Sequence, residues 1–513
     1  MAKLYEYQSK KLLREAGIRI PEGGIAGTPE EARELAAALG RPVVIKMQAW
    51  VTGRAALGGI QFADTPEEAE EKARGLLGLK VKAYVVEKVL VEEKLAIKAE
   101  YFAGLVMDDA RRMPLLIFSP AGGSGIEEMA RLSPEKIITL PIDVRAGLHE
   151  YETRNMARKA GLPGPVQLQV ADILARLYKT ARTVEARSAE INPLVATEDG
   201  TVYAADCHLV IDDYAVSRHP ELGIEIAREF DRPPTALEKI AYKVEEKDHR
   251  GTFYFLQMAE AGEGKTLIGF HGAGGGGSMM SMDAVLAKGF QLADYCDTSG
   301  NPPASKVYRA AKIILSQPGL RGYFASGSGV ASQEQYNSAR GLVKAFNEED
   351  LAIPAVIRLG GNCEEEATRI LGAYLKRVPG RVEGYGRDDT PEFCASRMEE
   401  LIRERGSATQ PVRTTPPPAP PEGCYSFATL TGSVSFNHER CRKCAGKSCI
   451  AACAPGILKL EDGCPVLAVT PDEARRGKCT ECLACEIRCR FHERAAIFIQ
   501  LPIPGLEEYR KSL

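Results

Sequence analysis

Cys441, Cys444, Cys449 and Cys453 form a run C-x2-C-x4-C-x3-C, and Cys479, Cys482, Cys485 and Cys489 form a second, C-x2-C-x2-C-x3-C. Two four-cysteine runs on one short stretch make a ligand set for two 4Fe–4S clusters. Two other readings stay open. Zinc sites usually draw four ligands from paired C-x2-C units, whereas each run here holds four cysteines with an x3 step before the last. Disulfides are the third reading. Ten of the fourteen cysteines lie beyond residue 420. That clustering fits metal clusters in a reducing cytoplasm better than a secreted disulfide framework. Cys424 and Cys464 fall outside both runs and read as buried or incidental.

The cysteine-rich end is similar to two-cluster bacterial ferredoxins, in which the fourth cysteine of each run ligates the other cluster. The resemblance implies one set of Cys441, Cys444, Cys449 and Cys489, and a second of Cys479, Cys482, Cys485 and Cys453. The first run departs from the bacterial x2 spacing, and Ala454 separates Cys453 from Pro455.

The rest of the chain must position other chemistry. At 513 residues there is room for three or four domains, and the hydrophobic content of 44% is that of an ordinary soluble protein. A net charge of −3 argues against a general nucleic-acid or membrane-surface role. No apolar run approaches the ~20 residues needed to span a bilayer. Patterned sequence begins at once after Met1 with no visible signal peptide, so a cytoplasmic location is expected. Gln410 to Pro421 carries six prolines in twelve residues. It reads as a semi-rigid polyproline tether, reaching roughly 37 Å at about 3.1 Å per residue.

Before the tether, strands and helices alternate. Pro42–Met47 and Tyr84–Glu87 read as short buried strands. Thr28–Leu39 and Thr65–Leu77 read as helices, each opened by Thr-Pro-Glu-Glu. Threonine caps, proline suits the first helical position, and carboxylates suit the positive helix end. Further on, Lys265–Phe270 runs into His271-Gly272-Ala273-Gly274, Gly322–Ala325 into Ser326-Gly327-Ser328-Gly329, and Pro354–Leu359 into Gly360-Gly361-Asn362. Strands that each end in a glycine turn suggest a parallel sheet, with ligands at the carboxyl ends.

Leu4-Tyr5-Glu6-Tyr7-Gln8-Ser9-Lys10, Val43-Val44-Ile45-Lys46, Leu90-Val91-Glu92 and Gly122-Gly123 carry a resemblance to a known family. So do Glu190-Ile191-Asn192-Pro193-Leu194-Val195 with Asp206, Lys312–Ser316 and Arg358–Asn362. Over its first ~405 residues the chain resembles the β subunit of succinyl-coenzyme A synthetase and its ADP-forming acid–thiol ligase relatives. The implied fold class is α/β. An ATP-grasp domain would cover residues 1–235, and a flavodoxin-like parallel-sheet CoA-ligase domain 236–405. A proline-rich linker over 406–422 would lead to a small α+β ferredoxin-like domain over 423–513.

The resemblance implies roles residue by residue. Lys46 would offer a fixed cation to ATP phosphates. Gly53-Arg54-Ala55 would cover them, although Ala55 and Ala56 stand where the family has a second glycine and a lysine. Glu92 and Glu100 would accept from the nucleotide's ribose or base. Asn192 and Asp206 would hold Mg²⁺, which takes hard oxygen ligands. Glu190 would contact a phosphohistidine carried by an α-type partner subunit, which would also bind most of the coenzyme A. His208 stands where a lysine is usual. His271 replaces a substrate-loop asparagine. Ser328, Gly329 and Val330 occupy the carboxylate-binding loop, where glycines let backbone N–H groups approach an anion.

The expected activity is reversible acyl-coenzyme A formation from a carboxylic acid, coenzyme A and ATP, with ADP and phosphate as products. The acid itself stays open. The cysteine-rich domain would serve electron transfer or dock a redox enzyme. The alternatives are an electron-transfer subunit whose ATP-grasp half gates electron flow, and a non-catalytic scaffold.

Overall fold

The computed structural model describes residues 1–51, 53–81, 84–123, 131, 133–228, 232–246, 251–259, 265–327 and 329–513. The chain divides into two compact units, Met1–Pro234 and Thr235–Leu513.

The first unit holds two antiparallel sheets. The smaller runs Gly23–Ala26, Val89–Glu93, Val43–Met47, Ile60–Ala63. Helices Pro29–Leu39 and Pro66–Leu76 cover it with alanine-rich faces, Ala32 and Ala36 from one, Ala69 and Ala73 from the other. Both helices start as their sequences require. Thr28 and Thr65 each accept the N–H of the glutamate three residues on, Glu31 and Glu68, at 3.2 Å. Tyr84–Val85 forms only a two-residue strand, hairpinned onto Lys80–Val81. The larger sheet orders Ala2–Lys3, Cys207–Ile211, Ala186–Thr197, Ile97–Asp108, Met113–Ser119 and Ile138–Pro141. The twenty-residue helix Gly164–Thr183 buries Val170, Leu174 and Leu177 in the core beneath it.

The second unit is built on a sheet ordered Tyr254–Gln257, Asp294–Asp297, Leu267–Ala273, Leu320–Gly327, Ala355–Arg358, Val382–Tyr385. All neighbours pair in parallel except the first strand, an antiparallel edge. Strand alternation sends Leu267, Tyr323 and Ile357 into a core with helices Ala304–Ile314 and Tyr336–Glu348. Ile268, Phe270, Phe324 and Val356 face a second core with Gly275–Ala287 and Pro391–Arg405. Both faces are covered, as an all-apolar parallel strand demands.

The cysteine-rich end belongs to this same unit. Its strands Tyr425–Ala428, Ser433–Phe436 and Ile497–Gln500 make a small antiparallel sheet. Phe427, Phe436, Ile487 and Ile497 join one continuous core with Tyr308, Leu342 and Phe346. The segment read as a semi-rigid tether is anchored where it begins. Gln410 is buried, donates its N–H to Leu320 O at 2.8 Å, and accepts from Ala352 N at 2.8 Å. Prolines lack donors, so the segment is fastened by its other residues, Gln410 and Arg413, whose O accepts from Arg510 at 3.2 Å. The terminal helix Leu506–Lys511 then returns to the parallel-sheet region. Its fully buried Arg510 donates to Ser316 Oγ at 2.8 Å and Lys312 O at 3.0 Å, and pairs with Glu349 at 3.1 Å. Among the described residues no helix is long and apolar enough to cross a membrane.

Candidate active site

The first unit gathers its charged side chains where the two sheets meet the opening helix. Lys46, on the central strand Val43–Met47, is buried. It donates to Glu6 Oε1 at 2.9 Å and Ala205 O at 2.6 Å, and lies 3.1 Å from Glu92 Oε2. Lys10 sits one turn after Glu6 and bonds both Glu92 oxygens, at 2.7 and 2.6 Å. Arg54 pairs with Glu6 Oε2 and with Asp206 Oδ2, each at 2.7 Å. Burial would raise the Glu6 carboxyl, but Lys10, Lys46 and Arg54 together hold it well below the carboxylate range. Burial would likewise lower Lys46, but Glu6, Glu92 and Asp206 keep it charged and raise its pKa.

Asp206 and Asn192 meet through their backbones, Asn192 N–H to Asp206 O at 3.3 Å. Asn192 Oδ1 accepts the Gly123 N–H at 2.8 Å. Asp206 Oδ1 is buried without a hydrogen-bond partner among the described residues. An orphaned carboxylate oxygen and an amide oxygen on residues joined through their backbones are the hard-oxygen ligand types that Mg²⁺ takes. Glu190 lies two residues before Asn192 on the same strand, opposite His208 and Gly104. His208 Nε2 stands 3.5 Å from Asp206 Oδ1. Glu100 is exposed beside the glycine turn, where a Cβ on Gly123 would stand 2.6 Å from its Oε2.

Lys46, Arg54, Asn192 and Asp206 thus converge, with Glu190 on the same strand as Asn192 and Gly53 and Ala55 flanking Arg54. Glu92 differs from its expected place. It is 1% exposed and its carboxylate is taken by Lys10 and Lys46, so it presents no free acceptor to a nucleotide. It acts from beneath, fixing the lysine. Two residues of the network, Glu6 and Lys10, carried no expected role. Their i,i+4 spacing in the opening motif was the available signal.

In the second unit His271 is corrected from substrate contact to core residue. It stays within strand Leu267–Ala273 rather than the loop beyond, opposite Ala325. Its Nδ1 lies 2.6 Å from Tyr323 Oη and its Nε2 3.1 Å from Thr298 Oγ1. Burial lowers its pKa to about 3, so the ring is neutral with no nitrogen left for an acid. Ser328 lies outside the described residues. Gly329 adopts a φ of 78°, and Val330 beside it is exposed. The glycine turns of adjacent strands come together here, since a Cβ on Gly360 would lie 2.7 Å from Gly329 Cα. Beneath them the buried Arg358 donates to Asp389 O at 2.6 Å, Arg387 O at 3.1 Å and Gly327 O at 3.4 Å, with no carboxylate partner among the described residues. The Gly275–Ala287 helix points its uncapped first turn at the same strand ends.

The eight run cysteines fall into two neighbourhoods. Burial raises the thiols of Cys441, to about 12, and Cys449, to about 11. Further contributions come to Cys441 from Cys489 and Cys449, and to Cys449 from Cys489 and Cys444. Burial also raises Cys485, with further contributions from its neighbours Cys482, Cys479, Glu486 and Cys453. Cys453, Cys479, Cys482 and Cys485 line one small cavity. Cys464 is turned toward His438 O at 3.6 Å, and Cys424 joins neither group. Among the described residues no three His, Cys, Asp or Glu side chains close on a single metal ion.

A family model described as an ATP-grasp domain matches residues 3–196. With the two antiparallel sheets and the buried lysine between them, it makes the first unit an ATP-grasp domain. The chain is 39% identical over 381 residues to the β subunit of succinate–CoA ligase [GDP-forming] from Thermus thermophilus, covering 74% of this chain and 96% of that protein. It is 38% identical over 369 residues to the β subunit of succinate–CoA ligase [ADP-forming] from Methanothermobacter thermautotrophicus, covering 72% and 93%. The chain belongs to the succinate–CoA ligase β-subunit family of acid–thiol ligases. The fold is shared with ATP citrate lyase from Methanothrix soehngenii in complex with citrate and coenzyme A. That match has a TM-score of 0.64 at 20% identity and covers 79% of this chain and 99% of that one. About a quarter of this chain has no counterpart in either ligase subunit.

Proposed function

We propose that this chain is the nucleotide-using subunit of an acid–coenzyme A ligase that works with an α-type partner. The observation that carries this is the convergence of Lys46, Arg54, Asn192 and the orphaned Asp206 oxygen from the two sheets of the ATP-grasp unit and their loops. Phosphoryl transfer depends on positioning and charge more than on covalent chemistry. Lys46 supplies a cation that Glu6 and Glu92 hold in place. Arg54, now paired with Asp206, would move its guanidinium to phosphate oxygens as ATP enters. Asn192 and Asp206 would hold Mg²⁺, which neutralises charge building on the phosphates. Glu190 would orient the partner's histidine by accepting its ring N–H. The phosphorylated histidine then activates an acid held at the glycine turns over Arg358. A coenzyme A thiol, bound mostly by the partner, displaces the phosphate. ATP is the proposed nucleotide, although the names of the relatives divide between ADP and GDP forms.

The test is incubation of the assembled complex with γ-labelled ATP and Mg²⁺ under anaerobic conditions. Label should appear on a histidine of the partner subunit and leave on addition of coenzyme A with the right acid. Label that never reaches the partner sinks the proposal.

A second reading concerns the cysteines. We infer that they hold two 4Fe–4S clusters, in the sets Cys441/Cys444/Cys449/Cys489 and Cys453/Cys479/Cys482/Cys485. The thiol neighbourhoods and the cavity lined by the second set support this. Such clusters would supply one-electron storage for a redox partner. Iron and acid-labile sulfide content decides it. If reduction of the clusters responded to ATP while no thioester formed, the electron-transfer alternative would replace the ligase.

A further inference from the structure

A cavity of about 1080 Å³ lies within the second unit. Its walls are helices Ala304–Ile314 and Tyr336–Glu348, the small antiparallel sheet, the start of the terminal helix and the proline segment Pro416–Ala419. That volume is the size of a cofactor site. The charges brought by the two long helices are already matched. Lys312 pairs with Glu348 and Glu349, and Lys344 with Glu348 at 2.8 Å and Glu486 at 2.9 Å. Arg510 closes the balance on Glu349 at 3.1 Å. Lys312, Lys344 and Arg510 thus answer Glu348, Glu349 and Glu486.

Other groups on the wall are not matched. Arg440 and Arg490 are held at one end through Ala495. Arg440 donates to Ala495 O at 3.1 Å, and Ala495 donates its N–H at 3.1 Å to the carbonyl of Cys489, the residue before Arg490. Arg490 lies over the Phe491 ring at 6.0 Å. Both arginines line the cavity, and neither pairs with a carboxylate among the described residues. Glu507, from the terminal helix, lines it too. Its Oε2 is buried with no hydrogen-bond partner among the described residues. Leu430, Phe498 and Ile503 add an apolar stretch.

We infer that this cavity is a binding site for a nucleoside phosphate, separate from the nucleotide site of the first unit. Two guanidiniums at one end suit phosphate oxygens, which take their fork of donors pairwise. A buried carboxylate oxygen left without a donor is costly, and a ribose hydroxyl supplies one to Glu507. The base covers the apolar stretch. Simpler anions satisfy less of the wall. A fatty acid brings no donor for Glu507, and inorganic phosphate leaves the apolar stretch in water. A short dicarboxylate does the same and adds a second negative charge beside Glu507. The shared chemistry belongs both to a free nucleotide and to the adenosine-phosphate end of coenzyme A.

The experiment photolyses the full-length chain with 8-azido-ADP and Mg²⁺ and maps the labelled peptides. Label is expected within residues 414–433 or 495–507, besides that in Met1–Pro234. R440E/R490E should lower the cavity label at least about tenfold at limiting probe, the worth of one charge-assisted contact. Leu430→Trp, outside both cysteine runs, should fill the apolar stretch and lower it as far. Calorimetric transitions equal to the parent's show that a variant folds, and a variant that fails this leaves the decision to the other and to the parent's own map. Cavity label absent from the parent, or retained in both variants, overturns the proposal. Displacement of the label by octanoate at a lower concentration than by ADP or coenzyme A overturns it as well. Displacement by ADP before coenzyme A identifies a free nucleotide as the occupant, and the reverse order identifies coenzyme A. A parent labelled only in the cavity supports this site and counts against the nucleotide site of the first unit, so the two readings fail separately.

Discussion

Lys46 does two jobs that one substitution separates. It offers charge to phosphate, and it neutralises Glu6 and Glu92, which are buried with it. Lys46→Met should slow partner phosphorylation by about 10²–10³-fold, the usual loss when one preorganised charge contact is removed. Lys10 and Arg54 still pair with the two glutamates, so the fold should survive, and a urea melt beside the labelling rate tells the two effects apart. Labelling at the parent rate would make Lys46 purely structural. Arg54 poses the opposite question, because its guanidinium is paired with Asp206 Oδ2, the second oxygen of the carboxylate that a metal would want. Arg54→Ala should tighten Mn²⁺ binding to nucleotide-free protein by about tenfold, the worth of one charge-assisted hydrogen bond, read by the loss of free-Mn²⁺ EPR signal. His271 makes a pH prediction for the second unit. Its folded pKa of about 3 lies below the unfolded 6.5, so between those values only the unfolded chain takes the proton. Its contribution is complete above pH 6.5 and is lost as the pH falls toward 3. Urea unfolding at falling pH should show a stability slope about 1.4 kcal/mol per pH unit shallower in His271→Asn than in the parent. Equal slopes would mean the ring protonates in place.

At the scale of elements, legibility in the sequence followed how local the cause was. The Thr-Pro-Glu-Glu openings determine helices Pro29–Leu39 and Pro66–Leu76 through contacts three residues apart, and the structure forms both. The strands before the glycine turns were equally readable, because apolar runs broken by glycine admit few alternatives. What escaped depended on register. Glu92 lies under Lys46 only because Val89–Glu93 pairs antiparallel with Val43–Met47, a fact stored in strands more than forty residues apart. His271 looked like a loop residue from the glycines after it, yet pairing with Leu320–Gly327 carries the strand on to Ala273. The linker misled in the same way. Its prolines speak only of local stiffness, while Gln410 and Arg510 are anchored by residues about sixty to two hundred positions away. Arg510 is therefore the sharper test of the terminal helix. Arg510→Met would leave Glu349 buried with Lys312 alone, and should destabilise the second unit by about 3 kcal/mol, measured by urea unfolding. A loss below about 0.5 kcal/mol would mean the terminal helix frays freely.

At the scale of the whole molecule, the question is whether the cysteine-rich end is an appendage or part of the ligase scaffold. An appendage on a tether would be removable. Here one core runs from Leu237 through Tyr308 and Phe346 to Phe436 and Ile497, so the second unit holds no apolar boundary at residue 410. Buried pairs cross the same line, with Lys344 shared between Glu348 and Glu486. Breaking such a pair from one side strands a charge, at about 3–5 kcal/mol. Clusters, where bound, would brace the loops that carry Glu481 and Glu486, because ligation couples to folding. Two consequences follow from the same geometry. A chain ended at residue 409 should expose the Tyr308–Leu342 face and Lys344, and should aggregate or melt well below the parent in differential scanning calorimetry. If the cysteines hold clusters as proposed, oxidative removal of their iron should lower the transition of the second unit while leaving that of Met1–Pro234, and ATP binding to it, unchanged. If the shortened chain kept the parent's melting temperature, the cysteine-rich end would be a passenger and its chemistry independent of the ligase. If iron loss instead lowered both transitions together, the two units would unfold as one, and the coupling would extend to the nucleotide site as well.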